Sequence, residues 1–163
     1  MNVFEGSRTA AVTTGKYFDE LELGTEWVTV GRTVTESDIM AFCGIGGDFN
    51  PLHTDEVWCR EHTPFRGRVA HGPLILAMTL GAFNRLHILE GTSVAALGLK
   101  ECNYRKVVYP GDTIRSTITV TGLRRTSRGD RGILQVTVRT LNQDGELVQD
   151  FVYVTMLSCA PAK

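Results

Sequence analysis

Two residues in the first third of the chain could do acid–base work together. Asp48 and His53 both lie in the polar stretch Gly47-Asp48-Phe49-Asn50-Pro51-Leu52-His53. A carboxylate accepts a proton and an imidazole can accept or give one, so the pair can hold a single water and move its proton. Their spacing decides whether they can meet. Side chains five positions apart diverge on a helix, where neighbours come at three and four. Pro51 removes that option, because it disfavours helical geometry at Asn50 and turns the chain. A bent loop can bring both groups into one small volume. The same residues equally suit an Asx-Pro turn capped by Asp48 with His53 on the surface, and spacing alone leaves both readings open.

The element that would fix this volume follows His71-Gly72-Pro73. From Pro73 to Phe83 only Thr79 carries a polar side chain. The run has no alternation and is too long for one strand. Pro73 suits the first turn of a helix, where its missing N–H has no partner to lose. Asn84, Arg85 and His87 bring polarity to the end and Gly91 can stop it, which predicts a helix over about residues 72–89. Apolar all round, it has to be enclosed. It is also too short, and too polar at its end, to span a bilayer. Free amides at its start, Gly72 among them, favour developing negative charge, and Gly72 has no side chain to keep a substrate oxygen away. His71, just before the helix, reads as structural. Ile75, Leu76 and Met78 read as core first and as walls of an apolar pocket second.

The rest of the chain has to wrap that helix. Glu26 to Val34 reads as a first strand. Thr35 with Asp38 three residues on forms an acidic capping box and starts a short helix that Gly44, Gly46 and Gly47 end. Asp55 to His62 suits one or two helical turns. Val94 to Val108 reads as a long strand, bulged near Gly98. Ile114 to Leu123 and the stretch around Leu134, Val136 and Val138 alternate as half-buried strands do. Asp144-Gly145 is a two-residue hairpin signal, and Leu147 to Leu157 forms the last strand. Short connections make these strands antiparallel neighbours. The fold class is therefore α+β, a curved antiparallel sheet around one helix. A free sheet edge that a twofold copy could pair predicts a homodimer.

With 163 residues and a net charge of −1, a single domain over residues 16–163 is expected, after a flexible tail of residues 1–15. Near-neutral charge argues against nucleic acid as a partner. Cys43, Cys59, Cys102 and Cys159 lie far apart with no C-x-x-C, which fits free thiols in a reducing cytoplasm, and no apolar signal core is found. His53, His62 and His71 recur every nine residues with Asp55 nearby, but no pair has a usual ligand spacing, so no metal is expected. Arg124, Arg125, Arg128 and Arg131 surround one turn. They could hold phosphates, but a solvated hairpin tip is the simpler reading.

Three strings in this sequence resemble the MaoC-like, (R)-specific enoyl-CoA hydratase family: Gly47-Asp48-Phe49-Asn50-Pro51-Leu52-His53-Thr54-Asp55, Val69-Ala70-His71-Gly72, and Tyr109-Pro110-Gly111-Asp112-Thr113. The resemblance runs from Lys16 onward. It implies a hot-dog fold, a homodimer or larger assembly, and an acyl-CoA or acyl-ACP substrate, with no cofactor beyond the coenzyme A of the substrate. It also implies that Asp48 and His53 are the catalytic pair, that the Gly72 amide polarises the thioester carbonyl, and that Asn50, Pro51 and His71 support them. Water would add to a trans-2-enoyl thioester, with Asp48 accepting a proton and His53 supplying one. One departure stands out: Pro73 follows the His-Gly pair where the family usually has an apolar residue such as methionine, so Gly72 acts without a neighbouring donor. A hot-dog acyl-CoA thioesterase, or a non-catalytic acyl-CoA-binding partner subunit, remains an alternative.

Overall fold

The chain is described here from a computed structural model over residues 15–161. The expected tail falls outside the described residues, apart from Gly15. After a 3-10 turn at Phe18–Glu20 come β1 (Glu26–Val28), β2 (Arg32–Thr33), α1 (Glu36–Gly46), α2 (Pro51–Thr54), α3 (Glu56–His62) and α4 (Gly72–Asn84). Four long strands follow, β3 (Ser93–Tyr104), β4 (Thr113–Arg125), β5 (Arg131–Leu141) and β6 (Leu147–Ser158). All pairings are antiparallel, in the order β1-β4-β5-β6-β3, with β2 also on β4.

The sheet's inner face is built by alternation. Ile114, Ile118 and Val120 of β4, and Leu134, Val136 and Val138 of β5, are buried, while their neighbours in sequence face outward. Helix α4 lies on this face. Its Phe83 joins the cluster of Ile118, Val136 and Phe151, and its Leu74, Ile75 and Met78 join Val34, Ile39 and Val148. Thr79, the one polar side chain of the apolar run, is buried and satisfied. Its hydroxyl meets Thr140 Oγ1 at 3.1 Å, which in turn meets Ser116 Oγ at 2.9 Å.

Four expectations need correction. Helix α4 ends at Asn84, not near residue 89, because the amides of Leu86 and His87 turn back to the carbonyls of Phe83 and Asn84 and His87 adopts a positive φ of 57°. On the side away from the sheet, Pro73, Ala77, Gly81 and Asn84 form an exposed stripe of mostly small residues. The first strand is two pieces, because buried Thr29 leaves the ladder to exchange hydrogen bonds with Ser116, accepting its amide on Oγ1 at 3.0 Å. The β5–β6 turn uses three residues, with Gly145 at φ 76° and the Asn142 amide bonded to the Glu146 carbonyl, so Asp144-Gly145 is only part of it. A bulge of β3 falls where expected, near Gly98, with further irregularities before Ala95 and before Asn103, but the strand stops at Tyr104. The residues that follow leave the sheet, and the Val108 carbonyl takes the Ala70 amide at 2.7 Å. That bond fixes the segment that leads into α4.

The capping box that starts α1 is present, with Asp38 N–H on Thr35 Oγ1 at 3.2 Å and Thr35 N–H on Asp38 Oδ2 at 2.9 Å. Burial opposes the Asp38 charge, but hydrogen bonds from Thr35 and the Arg32 guanidinium outweigh it and hold the carboxyl below its ordinary range. A folded-state value below the unfolded one gives stabilisation that is complete above the ordinary aspartate range and is lost as pH falls through the depressed value. Asp38→Ala is therefore expected to cost about 0.5–2 kcal/mol at neutral pH, the range of a lost helix cap. Thermal melts should show the gap between wild type and variant closing below about pH 4. A pH-independent gap would assign the cost to packing instead.

Candidate active site

Gly47 ends α1 in the left-handed conformation, at φ 70°, with its N–H on the Cys43 carbonyl at 2.8 Å, and sends the chain out to Asp48. The Asp48 carboxylate folds back, and its Oδ1 accepts the Asn50 N–H at 3.1 Å. Asn50 Oδ1 accepts the Leu52 N–H at 3.0 Å and caps α2, with Pro51 in its first turn. Pro51 therefore opens a helical turn instead of excluding one, as a proline at that position can. Asn50, at φ −51° and ψ 138°, stays out of the helical region, as a residue before proline must. Asp48 lies ahead of the cap, so helical spacing does not govern where it points.

His53, on α2, is 9% exposed. Its Nδ1 donates to the Val69 carbonyl at 2.7 Å, so a neutral ring presents its Nε2 lone pair. That nitrogen lies 3.9 Å from Asp48 Oδ2. The gap is too long for a direct hydrogen bond and suits one water bridging both groups. Val69 is itself held, its N–H bonding the Leu52 carbonyl at 3.0 Å. Glu56 braces the residue before it, accepting the Arg68 N–H at 3.0 Å.

His71 is more than the structural residue its place in the sequence suggests. It is 2% exposed, and its ring stacks on His53 with centroids 3.5 Å apart and planes 25° apart. Its Nε2 donates to the Asp48 main-chain carbonyl at 3.1 Å, and Phe42 packs on it at 5.1 Å. One ring thus ties the acid's backbone to the face of the imidazole. Asp48, His53 and His71 each place a potential ligand atom within 4.8 Å of the others. Of these atoms, His71 Nε2 already gives its hydrogen to the Asp48 main-chain carbonyl. His62 stands apart, stacked on Trp58 with its Nδ1 on the Trp58 carbonyl, so the nine-residue histidine series forms no single cluster.

Gly72 is the first residue of α4. Of the first four amides, Pro73 has no hydrogen, and those of Leu74 and Ile75 both go to the His71 carbonyl. The Gly72 N–H is left without an acceptor among the described residues. The space a Cβ would fill at Gly72 is taken by the Tyr104 ring, 2.7 Å away, so glycine is needed there for packing as well as access. A cavity of about 270 Å³ borders Gly72, with Ile75, Tyr104, Val107, Val148 and Gln149 among its walls. Leu76 and Met78 pack into the core clusters. Tyr104 and Gln149 were not foreseen from the sequence, although Gln149 shares strand parity with Phe151, which puts a polar side chain on the core face. The arginine-rich turn does not form a phosphate cradle around Arg125. That side chain pairs with Asp19 and donates to the Gly129 carbonyl at 2.7 Å, closing the hairpin.

An antiparallel sheet laid over one apolar helix, with an acid and an imidazole beside the helix's amino end, defines a hot-dog-fold protein. A Mycobacterium tuberculosis protein described as having a double hotdog fold matches with a TM-score of 0.82 at 26% identity, over 91% of this chain and 46% of that one. The chain belongs to the MaoC-like domain family, whose model matches residues 20–142. It is 33% identical over 107 residues to an (R)-specific enoyl-CoA hydratase of Rhodospirillum rubrum, covering 66% of this chain and 71% of the relative. It is also 33% identical over 104 residues to Protein MaoC of Klebsiella aerogenes, covering 64% of this chain but only 30% of that protein.

Proposed function

We propose that this chain adds water reversibly to a trans-2-enoyl thioester, of coenzyme A or acyl carrier protein, to give a (3R)-3-hydroxyacyl thioester. The observation that carries this reading is the 3.9 Å gap between Asp48 Oδ2 and His53 Nε2. A water there donates to both. As its oxygen bonds to the β-carbon, one proton passes to Nε2 and the alkene electrons move into the thioester, where the Gly72 N–H meets the developing oxyanion. The imidazolium, supported by the Val69 carbonyl at Nδ1, returns that proton to the α-carbon on the same face. The other hydrogen stays on the new hydroxyl. This makes His53 both acceptor and donor, where the sequence suggested that Asp48 takes the proton. The reason is Val69, which leaves a neutral ring with nothing at Nε2 to give first. Asp48 holds and orients the water. The thioester is already activated, so the scheme asks for no metal and no added cofactor.

The R stereochemistry and the thioester class rest on the relatives' names, and the chemistry on the geometry above. The assembly that fits is a homodimer. Among the described residues strand β3 pairs only with β6, and its other edge carries exposed Val94, Leu97 and Leu99. The test follows loss of enoyl absorbance with crotonyl-CoA, with free thiol measured in parallel. Absorbance loss without thiol release is expected. Stoichiometric thiol release would identify a thioesterase, and inertness toward enoyl and 3-hydroxyacyl thioesters of every chain length would leave a binding subunit.

A further inference from the structure

Gln149 lies near the start of β6, in register with Thr140 of β5 and Tyr104 of β3. It is 1% exposed, and neither its Oε1 nor its Nε2 has a hydrogen-bond partner among the described residues. A carboxamide buried with both ends unpaired is costly, and folded proteins seldom keep one without a use for it. This one lines the cavity that also borders Gly72. Ala70, Ile75 and Val148 make the cavity's apolar walls. Its two cations are engaged elsewhere, Arg105 with Asp150 at 2.7 Å and Lys106 with Glu146. Mostly apolar walls with a few placed polar groups, here Gln149 and Tyr104, are how small-molecule sites fix specificity.

We propose that this cavity receives the acyl end of the thioester and that Gln149 selects short acyl groups bearing a hydroxyl over plain hydrocarbon chains. The inference rests on the thioester reading above. The choice of hydroxyl follows from what the carboxamide offers, a donor and an acceptor together. A hydroxyl accepts from Nε2 and donates to Oε1. A carboxylate only accepts and would face Oε1 with like charge, and a methyl group does neither. At about 270 Å³ the cavity takes an acyl end of a few carbons.

The test uses saturated acyl-CoA thioesters, which bind without reacting, so it does not depend on turnover. Chains of four to six carbons ending in methyl, hydroxyl or carboxylate are titrated calorimetrically into the full-length protein and its Gln149→Leu variant, together with free coenzyme A. Wild type is expected to bind the hydroxyl-ended member of one chain length about tenfold or more tighter than its methyl counterpart. Gln149→Leu is expected to erase that preference while melting no lower than wild type, because it removes an unpaired buried amide. An unchanged preference in the variant overturns the proposal. So does tightest binding of the carboxylate, or a uniform weakening that extends to free coenzyme A, which would place Gln149 on the carrier arm. A lowered melting temperature with unaltered preference overturns it as well, since Gln149 would then serve folding through a buried water. Crotonyl-CoA hydration by wild type is assayed alongside. Its failure would count against the hydratase reading alone, while the binding preference would still report on the cavity.

Discussion

Asp48→Asn is expected to lower the hydration rate of crotonyl-CoA by about 10²-fold or more while leaving the fold intact, the scale on which losing the position of a reacting group counts. The two carboxylate oxygens of Asp48 have different duties. Oδ1 holds the Asn50 N–H at 3.1 Å, and the asparagine carbonyl can keep that bond. The amide nitrogen then stands where Oδ2 was, 3.9 Å from His53 Nε2 and from His71 Nε2. It donates where the water needs an acceptor. The Asp48 side chain is 54% exposed, so the change should move stability by no more than about 0.5 kcal/mol, as surface substitutions do. His53→Ala should be equally inactive but a less clean probe. It strips the Val69 carbonyl of its donor and the buried His71 ring of its stacking partner, which is expected to cost about 1–3 kcal/mol. Near-normal turnover in a folded Asp48→Asn protein would remove Asp48 from the chemistry.

How much of this was readable in advance follows from the range of the forces involved. The Thr35–Asp38 box, the left-handed Gly47 stop and the inward parity of Ile118 and Val136 are local, and the chain states them outright. So is the pairing of an acid with an imidazole across Pro51, although a proline that bends a loop and one that opens a helix after an Asn cap look alike in sequence. What set the roles came from far along the chain. The Val69 carbonyl that fixes the His53 tautomer is held through Leu52 and, by way of Ala70, through Val108. His71 reads as a lone residue before a helix and acquires its use only by stacking on His53. The two-piece first strand depends on a bond between Thr29 and Ser116, a contact between distant residues that no local pattern announces.

Gly72→Ala is expected to reduce kcat/KM for crotonyl-CoA by about 10²-fold, the scale of losing one oxyanion donor, without unfolding the protein. The methyl group would sit 2.7–2.9 Å from three Tyr104 ring atoms, closer than packed carbons tolerate. Tyr104 is 54% exposed, so the ring can swing outward instead of forcing α4 off the sheet. Alanine also suits a helix better than glycine, by roughly 0.5–1 kcal/mol, which offsets part of any strain. The loss should therefore appear in catalysis before it appears in stability. Two routes lead to it, and a second substitution separates them. If the displaced ring closes the cavity, Tyr104→Ala added to Gly72→Ala should restore much of the activity. If the methyl group itself keeps the thioester oxygen from the amide, the double variant should stay as slow as the single one. Either result keeps the carbonyl beside Gly72, because both depend on a substrate oxygen approaching the first-turn amide that no described residue claims. A single variant with wild-type kcat/KM would place that oxygen elsewhere, and the amino end of α4 would then hold the catalytic loop in position without touching the reaction.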